Sequence, residues 1–97
     1  MARLPNLDHY IYVISESPAG PVKIGISSNP GARIVELQTG NHRPLSLVYV
    51  SPGLSRSDVL SLERSMHASF AEDRISGEWF DVIPRHAVYA LMAELDV

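Results

Sequence analysis

Five side chains along this chain carry groups that could do chemistry together: Tyr12, Lys23, Arg33, Glu63 and His67. Tyr12 and Lys23 fall on neighbouring extended segments and share a facing, because side chains alternate along strands. An ammonium beside a phenol favours phenolate, which lowers the phenol's pKa and makes it a readier base. The plainer reading is an amphipathic strand tyrosine and a solvated lysine. Arg33 stands in the first turn of a short helical segment, directed near Gly25 and Ile26. Its rigid fork suits a phosphate, and a helix N-terminus adds oriented N–H donors; a surface arginine is the alternative. Glu63 and His67, four apart on a longer helix, share one face and could bind a divalent metal or hold its water. Such pairs are also common on ordinary helix surfaces. His42 and His86 add no ligand spacing, so a structural zinc site is not expected.

Two further stretches bear on the same chemistry. In Arg74-Ile75-Ser76-Gly77-Glu78-Trp79-Phe80, charges flank a glycine turn ahead of two aromatics. Trp79 and Phe80 are expected to anchor the core, and Glu78 either pairs with Arg74 or stands at the rim of a site. Leu37-Gln38-Thr39-Gly40-Asn41 reads as a helix-terminating turn whose polar groups could also meet a ligand.

The elements that must position these groups follow from pattern. His9 to Ile14 is aromatic and β-branched and reads as a strand, a Ser/Pro/Gly loop follows, and Val22 to Ile26 alternates as a second strand. Ile11 and Val13 then share a face with Val22, Ile24 and Ile26, leaving Tyr10, Tyr12, Lys23 and Gly25 on the other. Asn29 is a plausible N-cap and Pro30 suits the first helical position. Ile34, Val35 and Leu37 make that helix's apolar side, and Gly40 stops it. Leu45 to Val50 is a third strand. Ser55 and Asp58 have capping-box-like spacing before a helix over 57–73, with Val59, Leu62, Met66 and Phe70 facing the core. Glu78 to Val82 is short and extended, and Pro84 opens a last helix with the stripe Val88, Leu91, Met92 and Leu95. The order β-β-α-β-α-(β)-α predicts a single α+β domain over 1–97, a small three-stranded antiparallel sheet flanked by helices.

Composition sets the bounds. With 97 residues, 45% of them hydrophobic and 20% charged, the chain makes one modest core and is not disordered throughout. It has no cysteine, which excludes disulfides, thiol nucleophiles and Cys-ligated metal centres. No apolar run is long enough to span a bilayer, and residues 1–8 lack a secretory h-region, so a soluble cytoplasmic protein is expected. The net charge of −3 counts against a simple polyanion binder. That charge is polarised, however: residues 1–56 hold five basic and three acidic side chains, whereas 57–97 hold three and eight.

Taken in order, Tyr10-Ile11-Tyr12, Lys23-Ile24-Gly25, Arg33 and Glu63 resemble the GIY-YIG nuclease superfamily. The chain is most similar to its phage and bacterial branch, in which KIG replaces the YIG motif. Leu37-Gln38-Thr39-Gly40-Asn41, Glu63-Arg64-Ser65-Met66-His67 and Gly77-Glu78-Trp79-Phe80 support the likeness, which covers about residues 9–83. The resemblance implies a metal-dependent DNA endonuclease or nickase. Tyr12 would stand near the attacking water, Lys23 at the second motif's tyrosine position, Arg33 on the scissile phosphate, and Glu63 would hold Mg²⁺ or Mn²⁺. Gly25 would let the chain turn close to the site. His67 matches the branch's pattern and is a candidate catalytic group. Arg43 and Glu78, with Gly25, are candidate substrate-binding residues. Expected partners are DNA and, because the superfamily often carries a separate DNA-binding module, a second copy or a partner protein; no membrane is implied. A noncatalytic nucleic-acid-binding module on the same fold is the alternative. A third possibility is an interaction domain using the Val88/Leu91/Met92/Leu95 stripe.

Overall fold

The computed structural model describes residues 6–96. Strand β1, Tyr10–Ser15, and strand β2, Val22–Ser27, form an antiparallel hairpin in which Tyr12 lies opposite Gly25, Val13 opposite Ile24 and Ile14 opposite Lys23. Helix α1 spans Pro30–Thr39 and strand β3 spans Ser46–Val50. Helix α2, Arg56–Ser69, is followed by a 3₁₀ turn at Ala71–Asp73. Strands β4, Arg74–Ser76, and β5, Trp79–Phe80, precede helix α3, Pro84–Leu95.

The expected three strands are five, in the order β3-β1-β2-β5-β4. The two additions are the short segments around Gly77, too brief to show alternation on their own. They become strands because β5 finds β2, with Phe80 opposite Val22 and Trp79 opposite Lys23, and β4 folds back on β5. Gly77 has φ +53°, so its lack of a side chain is what lets the hairpin turn there. The α+β class holds. Helix α2 is also shorter than the pattern suggested, because its backbone tightens after Phe70, which caps it.

Alternation sorts the sheet into two faces. Ile11, Val13, Val22, Ile24 and Phe80 join Val59 and Met66 of α2 and Ala87 and Leu91 of α3 in one buried cluster. On the opposite face lie Tyr12, Ile14 and Lys23, all buried as well. A sheet covered on both sides explains why every residue from Ile11 to Ser15 is buried, rather than every second one. Two expectations on packing need correction. Trp79 is half-buried and outside the core cluster, since its register with Lys23 turns it away from the face that Phe80 joins. Val35 is 66% exposed, so α1 packs through Ile34 and Leu37 instead.

Local signals act where the sequence placed them. Asn29 Oδ1 accepts from the Ala32 N–H, with Pro30 at the start of α1. Ser55 Oγ accepts from the Asp58 N–H at the start of α2. Each cap satisfies a backbone donor that the first helical turn leaves free.

Candidate active site

The site is built around Gly25. A Cβ at this position would stand 2.5 Å from Tyr12 Oη, 2.7 Å from Tyr12 Cζ and 2.7 Å from Glu78 Oε2. The Tyr12 ring therefore lies across the glycine from the facing strand, and the Glu78 carboxylate reaches the same spot from the β4–β5 turn. Both oxygens are over one backbone position, within about 5 Å of each other by that geometry. Only glycine leaves space for this meeting.

Lys23, two residues from Gly25 on the same face, places Nζ 3.1 Å from Glu78 Oε2. Its side chain is only 10% exposed, against 38% for Glu78. This is not the solvated lysine of an amphipathic strand: it is buried where β5 pairs alongside β2, and the ion pair compensates the buried ammonium. Glu78 thus pairs with Lys23 and not with Arg74, whose guanidinium instead lies 5.3 Å above the Phe80 ring. The sequence holds one signal for this arrangement, the Gly77-Glu78 turn, but the partner strand that makes it matter is more than fifty residues away.

Arg33 comes to Tyr12 from α1, and its Nη1 also donates to Glu36 Oε2 at 3.0 Å. The Tyr12 phenol is pushed above its ordinary pKa, chiefly because burial disfavours phenolate; the nearby Arg33 guanidinium pulls the other way and Glu78 adds to the rise. The expected lowering by Lys23 does not occur: burial dominates at Tyr12, and the Lys23 ammonium is paired with Glu78. At neutral pH Tyr12 is a neutral hydroxyl, able to donate and accept a hydrogen bond.

Helix α2 supplies the remaining groups. His67 Nε2 is 2.8 Å from the Ile24 carbonyl oxygen, and its ring lies 5.1 Å from that of Phe80. The contact has a topological cause. β5 pairs with β2 only as far as Ile24, whose N–H donates to the Glu78 carbonyl. Beyond that point the edge of β2 has no strand partner, and the imidazole takes its place. A carbonyl only accepts, so Nε2 carries the proton and Nδ1 is the one ring nitrogen left for other work. One turn earlier, Glu63 is half-buried and its Oε2 is buried with no hydrogen-bond partner. Burial raises the Glu63 pKa, with the Glu78 charge adding to the effect and His67 and Lys23 opposing it.

The fold therefore brings Tyr12, Lys23, Gly25, Arg33, Glu63 and Glu78 together from four elements and a turn, with His67 fixing α2 against the strand they surround. Arg43 is held elsewhere. It follows α1, with a side chain 68% exposed and Nη1 3.6 Å from Glu16 Oε2 of the β1–β2 connection. Among the described residues, no three His, Asp or Glu side chains gather as a metal-binding group. No helix among them is long and apolar enough to cross a membrane.

Compared with known proteins, residues 9–95 match the family described as the T5orf172 domain. No curated protein and no solved structure matches the chain.

Proposed function

Since the chain belongs to the T5orf172 domain family over nearly its whole length, we propose that it is a DNA endonuclease or nickase of the GIY-YIG type, hydrolysing phosphodiester bonds with a divalent cation. The observation that carries this reading is the meeting of the Tyr12 phenol and the Lys23–Glu78 ion pair at Gly25, with the Arg33 guanidinium beside Tyr12 and, on α2, a Glu63 carboxylate that feels the Glu78 and Lys23 charges and has a buried oxygen without a partner.

Phosphodiester hydrolysis concentrates negative charge on the non-bridging and leaving oxygens, so cations fixed beside them lower the barrier. Arg33, close to Tyr12 and hydrogen-bonded to Glu36, presents a planar fork to the scissile phosphate. Lys23 adds a second positive charge once the phosphate competes with Glu78 for it. Tyr12, neutral and fixed over Gly25, orients the attacking water by accepting its hydrogen bond at the phenol oxygen, and the water's proton leaves to solvent. Glu63 fits the role of cation ligand, because its buried Oε2 lacks a partner and a cation would satisfy it. A single protein carboxylate is enough for Mg²⁺ (or Mn²⁺), which keeps most of its waters and takes other ligands from substrate. When bound, that cation supplies Lewis-acid stabilisation of the phosphate charge and acidifies a coordinated water. His67 acts by position, locking the turn of α2 that carries Glu63.

One observation favours a second reading, a noncatalytic nucleic-acid-binding module: Glu78 already neutralises the buried Lys23. The two readings separate in one experiment. Supercoiled plasmid, single-stranded DNA and branched DNA are incubated with the protein in Mg²⁺, Mn²⁺ or EDTA, beside Arg33→Ala and Glu63→Ala. The nuclease predicts cleavage that needs the cation and vanishes in both variants. Salt-sensitive binding that survives EDTA, without cleavage of any substrate, would establish the binding module instead.

A further inference from the structure

Trp79 is the chain's single tryptophan, and it is not spent on the core. Its cross-strand partner is Lys23, so the indole lies on the same face of the sheet as the site and one strand over from it. There it lines a cavity of about 220 Å³ together with Glu16, Pro21, Asn41, Ile75 and Ser76. Ile75 is 57% exposed, an apolar side chain left at the mouth by a strand with no partner on its outer side. The polar groups are of the kind that read a heterocycle. Asn41 Oδ1 is engaged by the Arg43 N–H, which leaves the amide NH₂ for another partner. The Glu16 carboxylate is matched by Arg43, so the rim carries an ion pair and not a net negative charge.

From this geometry we propose that the cavity beside Trp79 receives one unstacked nucleobase of the strand whose phosphate meets Lys23 and Arg33. The inference rests on the nucleic-acid reading above and narrows it to single-stranded or locally opened DNA. Size supports it: the cavity is below the about 300–1,000 Å³ of ordinary small-molecule pockets, enough for one flat ring but not a whole nucleotide. Aromatic side chains beside a basic groove are the usual means of holding single strands, since every base has a face that stacks. Duplex DNA keeps its bases stacked on each other and has none to offer.

The lone indole makes the test direct. The protein is titrated in EDTA with a short oligodeoxythymidylate, and separately with an abasic sugar–phosphate oligomer of equal length, while Trp79 fluorescence is followed. Quenching by the thymidylate and not by the abasic oligomer is expected. Trp79→Ala, followed by anisotropy of a labelled oligomer, should weaken thymidylate binding about five- to a hundred-fold and bring it to the abasic level. Ser76→Leu fills the cavity from an exposed strand position and should weaken it similarly, so the idea stays testable if Trp79→Ala fails to fold. Equal affinity for the two oligomers, or unchanged thymidylate affinity in Ser76→Leu, would overturn the base site and leave the phosphate site standing. Failure of the unaltered protein to bind either oligomer would overturn both.

Discussion

Glycine 25 has the least chemistry of the site residues and the sharpest constraint. A Cβ there meets the buried Tyr12 ring, which has no slack, as well as the more flexible Glu78 carboxylate. Gly25→Ala should therefore cost about 1–3 kcal/mol of stability, the usual range for overpacking; chemical denaturation measures it. Glu63 behaves oppositely. Its carboxyl has a raised pKa in the folded protein, so the fold holds a proton that the unfolded chain releases. Stability from this group is present below the ordinary glutamate pKa and falls as pH rises through the elevated one. Glu63→Gln should accordingly raise the melting temperature at pH 7 and not at pH 4, even as it abolishes any metal-dependent activity. Such a gain in stability on loss of a polar group marks a side chain retained for something other than folding. The Lys23–Glu78 pair gives a third expectation: Glu78→Gln leaves a buried ammonium without its anion and costs about 1–3 kcal/mol, more than Lys23→Met, which leaves a carboxylate that water can reach.

At the scale of elements, each site group depends on how its strand or helix is ended. Arg33 stands one turn into a ten-residue helix whose start is fixed by the Asn29 cap and Pro30. Asn29→Ala should lower stability by about 1 kcal/mol and loosen Arg33, seen as a weaker response of binding to Arg33→Ala. The cap and the proline were readable from sequence, as was the Ser55 cap of α2, because these signals are local. His67 was visible as half of an i,i+4 pair and as part of the resemblance, but not as a partner of β2. Its contact with the Ile24 carbonyl depends on β5 ending where it does, which no pattern within α2 encodes.

At the scale of the whole molecule, the positive charge of the site and its surroundings is offset at close range. Lys23 faces Glu78, Arg33 faces Glu36 and Arg43 faces Glu16, so all three cations expected to meet a polyanion have a carboxylate partner. Binding must displace these partners, and few counterions are released. The salt dependence of DNA binding should then correspond to only two or three phosphates, a slope of about −1.4 to −2.7 in log affinity against log salt. Measuring it by anisotropy between low and moderate salt checks this, and a slope several-fold steeper would point to a larger basic surface than the described residues offer.

What the sequence by itself determined is what neighbours along the chain can decide: three helices, two of them with their caps, the β1–β2 hairpin with its facing, and an ordered set of motifs pointing to phosphate chemistry. The tertiary structure alone decided which charges meet. Lys23 joins Glu78 across fifty-four intervening positions, Trp79 leaves the core because its register is set by Lys23, and Tyr12 stays neutral because the fold buries it. Burial and ion pairing fall off within a few ångströms, and those distances exist only once the strands have been laid side by side.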